Sequence, residues 1–149
     1  MSEVEFEEIA SDERIYKLRV FDDGDLVGLS TFTNVLEAWP LIEPAYFAHH
    51  WPEHYQRGAI WYIGFVGARS GQAHAYRRMV TAMHEVVNRN DGLAVMDYCD
   101  YNVDHRRLPQ ITDRLLAAAD PGTRSGQVDA QRTFVLRFDG RPVLDGQPA

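Results

Sequence analysis

Residues 61–76 read Trp-Tyr-Ile-Gly-Phe-Val-Gly-Ala-Arg-Ser-Gly-Gln-Ala-His-Ala-Tyr: an apolar run, a loop of small residues, then the start of a helix. A small-residue loop that opens a helix leaves backbone N–H groups unpaired beside the positive end of the helix dipole. That arrangement holds a phosphate. Arg69 precedes the loop, His74 lies in it, and Arg77 and Arg78 follow in the first helical turns. Between Arg69 and Arg89 the only acid is Glu85, on a chain whose formal net charge is −7. A local positive region on an acidic protein suits a small anion better than a polymer, although the same arginines also suit a solvated helix face.

A second group of residues that can do chemistry lies at 97–101, where Asp97 and Asp100 alternate with Tyr98 and Tyr101. General acid–base chemistry needs a group that takes a proton and a group that gives one. Asp97 acting through a water is the candidate base, and Tyr98 or Tyr101 the candidate acid. The same residues also read as a capping carboxylate and core tyrosines. Cys99, a lone cysteine at a strand end between two acids, reads as a small hydrophobe rather than a nucleophile. His50 and His54 are four apart, but Pro52 between them breaks the helix that such metal-ligand spacing requires, and no metal is expected. His49, His50 and His54, with Trp39, Trp51 and Tyr55, line an acceptor pocket on one reading and form core or subunit surface on the other. His84 lies off the apolar stripe of its helix, and Asp104 to Arg107 form a charged turn.

These residues need elements to position them. Residues 3–9 alternate loosely, as an edge strand does. Residues 16–20 and 26–33 are strand-like and joined by Asp22-Asp23-Gly24-Asp25, a hairpin turn signal. Residues 34–58 carry Pro40, Pro44 and Pro52 among aromatics and predict short helical pieces closed by Gly58. Residues 59–66 are almost wholly apolar and predict a central strand buried on both faces. Gly64 within it either starts a bulge or admits a close-packed aromatic. Tyr76, Met79, Val80, Met83, Val86 and Val87 form one stripe of a helix over 75–88, stopped by Asn90-Asp91-Gly92. Residues 93–99 predict a second buried strand, parallel to the first through a right-handed crossover. A helix over 109–119 turns Ile111, Leu115 and Leu116 inward and stops at Asp120-Pro121-Gly122. A short strand near 126–128 and a last strand over 131–138 complete the pattern. The expected class is α/β, a central mixed sheet, partly parallel, flanked by helices. One domain spans 1–139, and 140–149 form a frayed tail.

Composition sets the frame. A chain of 149 residues with 45% hydrophobic and 11% aromatic residues makes one domain with a real core. The acidic balance disfavours nucleic acid or an anionic membrane as a main partner. A single cysteine, no bilayer-length apolar run and an acidic N-terminus make the cytoplasm the expected compartment.

The order of these elements resembles the GNAT-type acyl-CoA N-acyltransferases, over roughly residues 59–138. In that family a strand leads into a loop of pattern [Gln/Arg]-x-x-Gly-x-[Gly/Ala] and then a helix. Here Ser70 takes the Gln/Arg position, Ala73 the first Gly and Ala75 the second, while Val80 takes the place of the usual helix Leu. Asn102 follows the second parallel strand, as in the family. The resemblance implies acetyl-CoA or another acyl-CoA as co-substrate and no metal. The acceptor would be a small-molecule or peptide amine, and a homodimer is an expected assembly. It also implies coenzyme contacts from Ile63, Phe65 and Val66, from Arg69, Gly71, Gln72, Ala73, His74 and Ala75, and from Tyr76, Arg77 and Asn102. The pantetheine arm would pair with strand backbone at 63–66, and the pyrophosphate would sit on amides 71–75. The chain departs from the family at Ser70 and Ala73, at the central strand, where Trp61, Ile63 and Phe65 replace the usual Glu, and near Pro109, where the family has a tyrosine. A catalytically inactive relative that binds a ligand or partner is the alternative.

Overall fold

The computed structural model describes residues 3–40 and 42–130. Helix α1 (Glu3–Ser11) leads into strands β1 (Tyr16–Asp22) and β2 (Asp25–Thr33). A short turn at Leu36–Ala38 and helices α2 (Pro44–His50) and α3 (Pro52–Gln56) follow. Strand β3 (Ile60–Ala68), helix α4 (Ala73–Arg89), strand β4 (Leu93–Met96), a helical turn at Tyr101–His105 and helix α5 (Leu108–Ala119) complete the described chain. The four strands form one sheet in the order β1-β2-β3-β4, antiparallel except for the parallel pair β3–β4. The fold is mixed α/β, as expected. No helix among the described residues is long and apolar enough to cross a membrane.

Residues 3–9 are helix, not an edge strand. Glutamates favour helix, and Phe6, Ile9 and Ala10 fall at helical spacing on one face. The hairpin forms where its signal lies, with Asp23 and Gly24 both at positive φ (48° and 88°), the backbone that a two-residue turn between twisted strands needs. Pro52 separates α2 from α3, with Trp51 capping the end of one and the start of the other.

The sheet has an apolar layer on each face. On one, α4 lays Ala75, Met79, Val80, Met83 and Val87 against Val20, Val27, Phe32, Trp61 and Ile63. Burying each large side chain there contributes about 1.5–3 kcal/mol. Ala75 and Met79 press close because Gly28 lies opposite: a Cβ on it would meet both at 3.1 Å. On the other face, Ile9, Ile15, Leu36, Trp39 and Phe47 pack over Ile60 and Tyr62. The aromatic segment 34–58 thus supplies core: Trp39 and Phe47 are buried, and Tyr46, Trp51 and Tyr55 are half-buried around them.

Three further expectations change. Strand β4 stops at Met96 rather than Cys99, because the Cys99 carbonyl accepts the N–H groups of Asn102 and Val103 and turns the chain away from the sheet. On α5 the buried residue is Thr112, with Leu115 and Leu116 half-buried and Ile111 exposed. Residues 126–128 are irregular, not a strand. The strand expected over 131–138 and the tail lie outside the described residues.

Candidate functional site

Strands β3 and β4 are hydrogen-bonded only from Ile60↔Leu93 to Ile63↔Met96. Beyond that point β3 continues to Ala68, paired with β2 on one edge. Among the described residues no strand pairs with its other edge. The parting begins at Gly64, and there the structure satisfies both sequence readings. Thr31 pairs with Phe65 and Phe32 with Ile63, so Gly64 is the extra residue of a β-bulge. The Trp39 indole also lies over it, so close that a Cβ would come within 2.0 Å of Cη2.

At the fork, the Tyr62 hydroxyl donates to Asp97 Oδ2 at 2.7 Å. This bond ties the first residue after β4 back to β3. Burial, and then the bond to Asp97, hold the Tyr62 phenol well above its usual ionisation range, so it stays a donor. Tyr98 goes elsewhere. Its hydroxyl donates toward Met96 Sδ at 2.7 Å and Thr112 Oγ1 at 3.2 Å, while the Tyr76 hydroxyl shares a bond with Thr112 at 2.9 Å. The three hydroxyls join α4, α5 and the exit of β4. Burial raises the Tyr98 ionisation and the Thr112 bond partly offsets it.

At its far end, roughly 15–20 Å along the strand from Ile63, β3 enters the small-residue loop. The Arg69 N–H donates to Val27 O at 2.9 Å, and the Gln72 N–H to Arg69 O at 3.0 Å, which closes a tight turn with Gly71 at φ 81°. The Ala75 N–H is taken by Gln72 O at 3.0 Å. The N–H groups of Ser70, Gly71, Ala73 and His74 have no hydrogen-bond partner among the described residues, and all four residues are exposed. No side chain caps α4. The alanine at 73 is accommodated: it lies inside the helix, and the left-handed backbone falls on Gly71. Arg69 pairs loosely with Asp25 at 3.5 Å, whereas exposed Arg77 and Arg78 have no acid partner among the described residues.

The predicted residues therefore divide. Arg69, Gly71, Gln72, Ala73, His74 and Arg77 cluster at the loop. Ala75 is wholly buried, with its N–H engaged. Ile63 is core, and its backbone is paired with Met96, so the open edge starts one residue later than expected; Phe65 is 37% exposed there and Val66 packs on the α4 side. Tyr76 points its hydroxyl into the Thr112 cluster. Asn102 is half-buried in the turn after β4. Tyr101 is 59% exposed, with the Arg106 guanidinium 5.6 Å from its ring centre, and Cys99 is exposed. Of the two candidate acids, Tyr98 is the one held in a defined hydrogen-bonded place. Sequence reasoning missed Tyr62 and Thr112. The available signals were a phenol in an otherwise apolar buried strand, which needs a partner, and a polar residue in register with Leu115 and Leu116.

Among the described residues no group of three or more His, Cys, Asp or Glu is arranged to hold a metal ion. Comparison with protein-family models, with curated proteins and with solved structures gave no match.

Proposed function

We infer that this chain is an acyl-CoA-dependent N-acyltransferase that passes an acyl group, acetyl in the simplest case, from the thioester to an amine. The observation that carries the reading is the parting of β3 from β4 after Ile63↔Met96 on a strand that runs into four amides with no partner among the described residues. An open strand edge offers N–H and C=O groups to the amides of a pantetheine arm. The bare N–H groups of Ser70, Gly71, Ala73 and His74 offer a diphosphate its donors, with Arg77 and Arg78 supplying charge. The GNAT resemblance supports the same assignment.

The chemistry then runs at the fork. The amine nitrogen attacks the thioester carbon, the C–S bond breaks, and the amine proton passes to Asp97 through a water. Tyr98 protonates the departing thiolate and is reprotonated from solvent. Tyr62 acts as a positioning residue by holding the Asp97 carboxylate.

The Tyr62–Asp97 bond also favours a second reading. A carboxylate already accepting from a phenol, on a chain with no acid along β3, is a poor base, and the chain would then bind coenzyme without turnover. Thermal shift with acetyl-CoA, followed by thiol release with an amine library, separates the two. The first reading predicts stabilisation and thiol release, and the second stabilisation alone. Ala73→Glu should abolish the stabilisation while leaving the fold intact; an unchanged shift overturns the placement of the diphosphate.

A further inference from the structure

The outer face of the β1–β2 hairpin carries a second site. Residues alternate across a strand, so Gly28 and Phe32 face α4 while Leu29 and Thr31 face the other way. Arg19 pairs with Leu29 and Lys17 with Thr31, which brings all four side chains to that face. Helix α1 lies over them with Phe6, Ile9 and Ala10, and the helix and hairpin enclose a cavity of about 220 Å³.

Thr31 lines this cavity, is only 2% exposed, and its hydroxyl has no hydrogen-bond partner among the described residues. Its neighbour on the same face, Thr33, shows what satisfaction looks like, donating to Arg14 O at 2.8 Å. A buried hydroxyl left without a partner is costly in a native protein, and one that also lines a cavity is a candidate contact for a ligand. Two cations stand beside it. Lys17 is directly across the strand pair, where Cβ atoms lie about 5 Å apart, and its ammonium donates to the Asp12 carbonyl. Arg19 is exposed at the rim, and its guanidinium has no acid partner among the described residues. The remaining wall is apolar: Phe6, Ile9, Ala10 and Leu29.

An apolar chamber with a free hydroxyl and two cations at one side matches an organic anion better than water or a neutral hydrocarbon. We propose that this cavity binds a small carboxylate with an apolar body. Its tail lies against Phe6, Ile9 and Leu29, and its carboxylate accepts from Thr31, Lys17 and Arg19. The proposal stands apart from the coenzyme reading, since the cavity is on the sheet face opposite α4 and its lining excludes the loop at 70–74.

The test is an amide-resolved NMR titration of the whole chain with sodium hexanoate, run beside hexan-1-ol and sodium chloride. Hexanoate should give saturable shifts at Ala10, Leu29 and Thr31. Affinity should fall at least about fivefold for the alcohol and for the Arg19→Gln protein. Thr31→Val should also weaken hexanoate while raising the ligand-free melting temperature, because it removes a buried hydroxyl that has no partner among the described residues. No saturable shift below about 10 mM overturns the proposal. So does equal affinity for acid and alcohol, or an Arg19→Gln protein that binds as well as the parent. Arg19 is exposed, so that variant folds whether or not Thr31→Val does.

Discussion

Gly64→Ala is the substitution whose cost follows most directly from the geometry. The added methyl would lie 2.0, 2.3 and 2.4 Å from Cη2, Cζ2 and Cζ3 of Trp39, where ordinary carbon contacts are about 3.5–4.0 Å. The indole cannot yield cheaply. It is 4% exposed, packed in the second core layer, and 5.4 Å from the Tyr62 ring. Backbone conformation adds nothing, because Gly64 is not among the residues at positive φ. The cost is therefore overpacking, at the upper end of the usual range, about 3 kcal/mol. For a chain of this size that lowers the melting temperature by about 6–12 °C. Urea unfolding should show a lower midpoint at unchanged slope. Trp39→Leu deletes all three clashing atoms, so Gly64→Ala should cost at least about 1 kcal/mol less in that background. A Gly64→Ala protein within about 0.5 kcal/mol of the parent, or an additive double mutant, would refute the packing of Trp39 on the bulge.

Thr112→Val keeps shape but removes the partner shared by Tyr76 and Tyr98, and should cost about 1–2 kcal/mol in urea unfolding. Thr112→Ser should restore most of it, and Tyr98 should ionise at still higher pH in the valine variant, followed by phenolate absorbance. Asp12 is held at a pKa of about 2, below its ordinary 3.8, first by the Arg14 side chain and then by the Arg14 N–H. A depressed carboxylate contributes stability above its unfolded value that is lost as pH falls through its folded one. The pH dependence should lie between about 4 and 2, and Arg14→Gln should move the Asp12 titration, read by NMR, back toward 3.8.

Local chemistry made part of this molecule legible in its sequence. Asp22-Asp23-Gly24-Asp25 and Asn90-Asp91-Gly92 mark a turn and a helix end through backbone preferences that act over a few residues. Pro52 divides two helices for the same reason. The parallel β3–α4–β4 unit follows from two apolar runs joined by one helical stripe. The failures arise where partners are remote. Residues 3–9 look strand-like until helical packing on the hairpin selects Phe6, Ile9 and Ala10. The length of β4 depends on a turn that claims the Cys99 carbonyl, and the inward face of α5 is set by hydroxyl partners on α4 and beyond β4.

The candidate site divides in the same way. The amides of Ser70, Gly71, Ala73 and His74, without partners among the described residues, are legible because small residues before a helix without a cap leave donors free. The Tyr62–Asp97 and Tyr76–Thr112 bonds join residues 35 and 36 positions apart, and nothing in either local sequence announces them. Gly64 fits two readings in the sequence, and the structure uses both: a single missing Cβ lets Trp39 lie over the strand at the residue that bulges.

The central claim is that coenzyme occupies the open edge of β3 and the amides of the following loop. Titration of the labelled protein with acetyl-CoA, read amide by amide, tests it most directly. The account predicts saturable shifts at Phe65, Val66 and Gly67 together with Ser70, Gly71, Ala73 and His74, and little change along β1. Shifts confined to other elements, or none at millimolar acetyl-CoA, would contradict it.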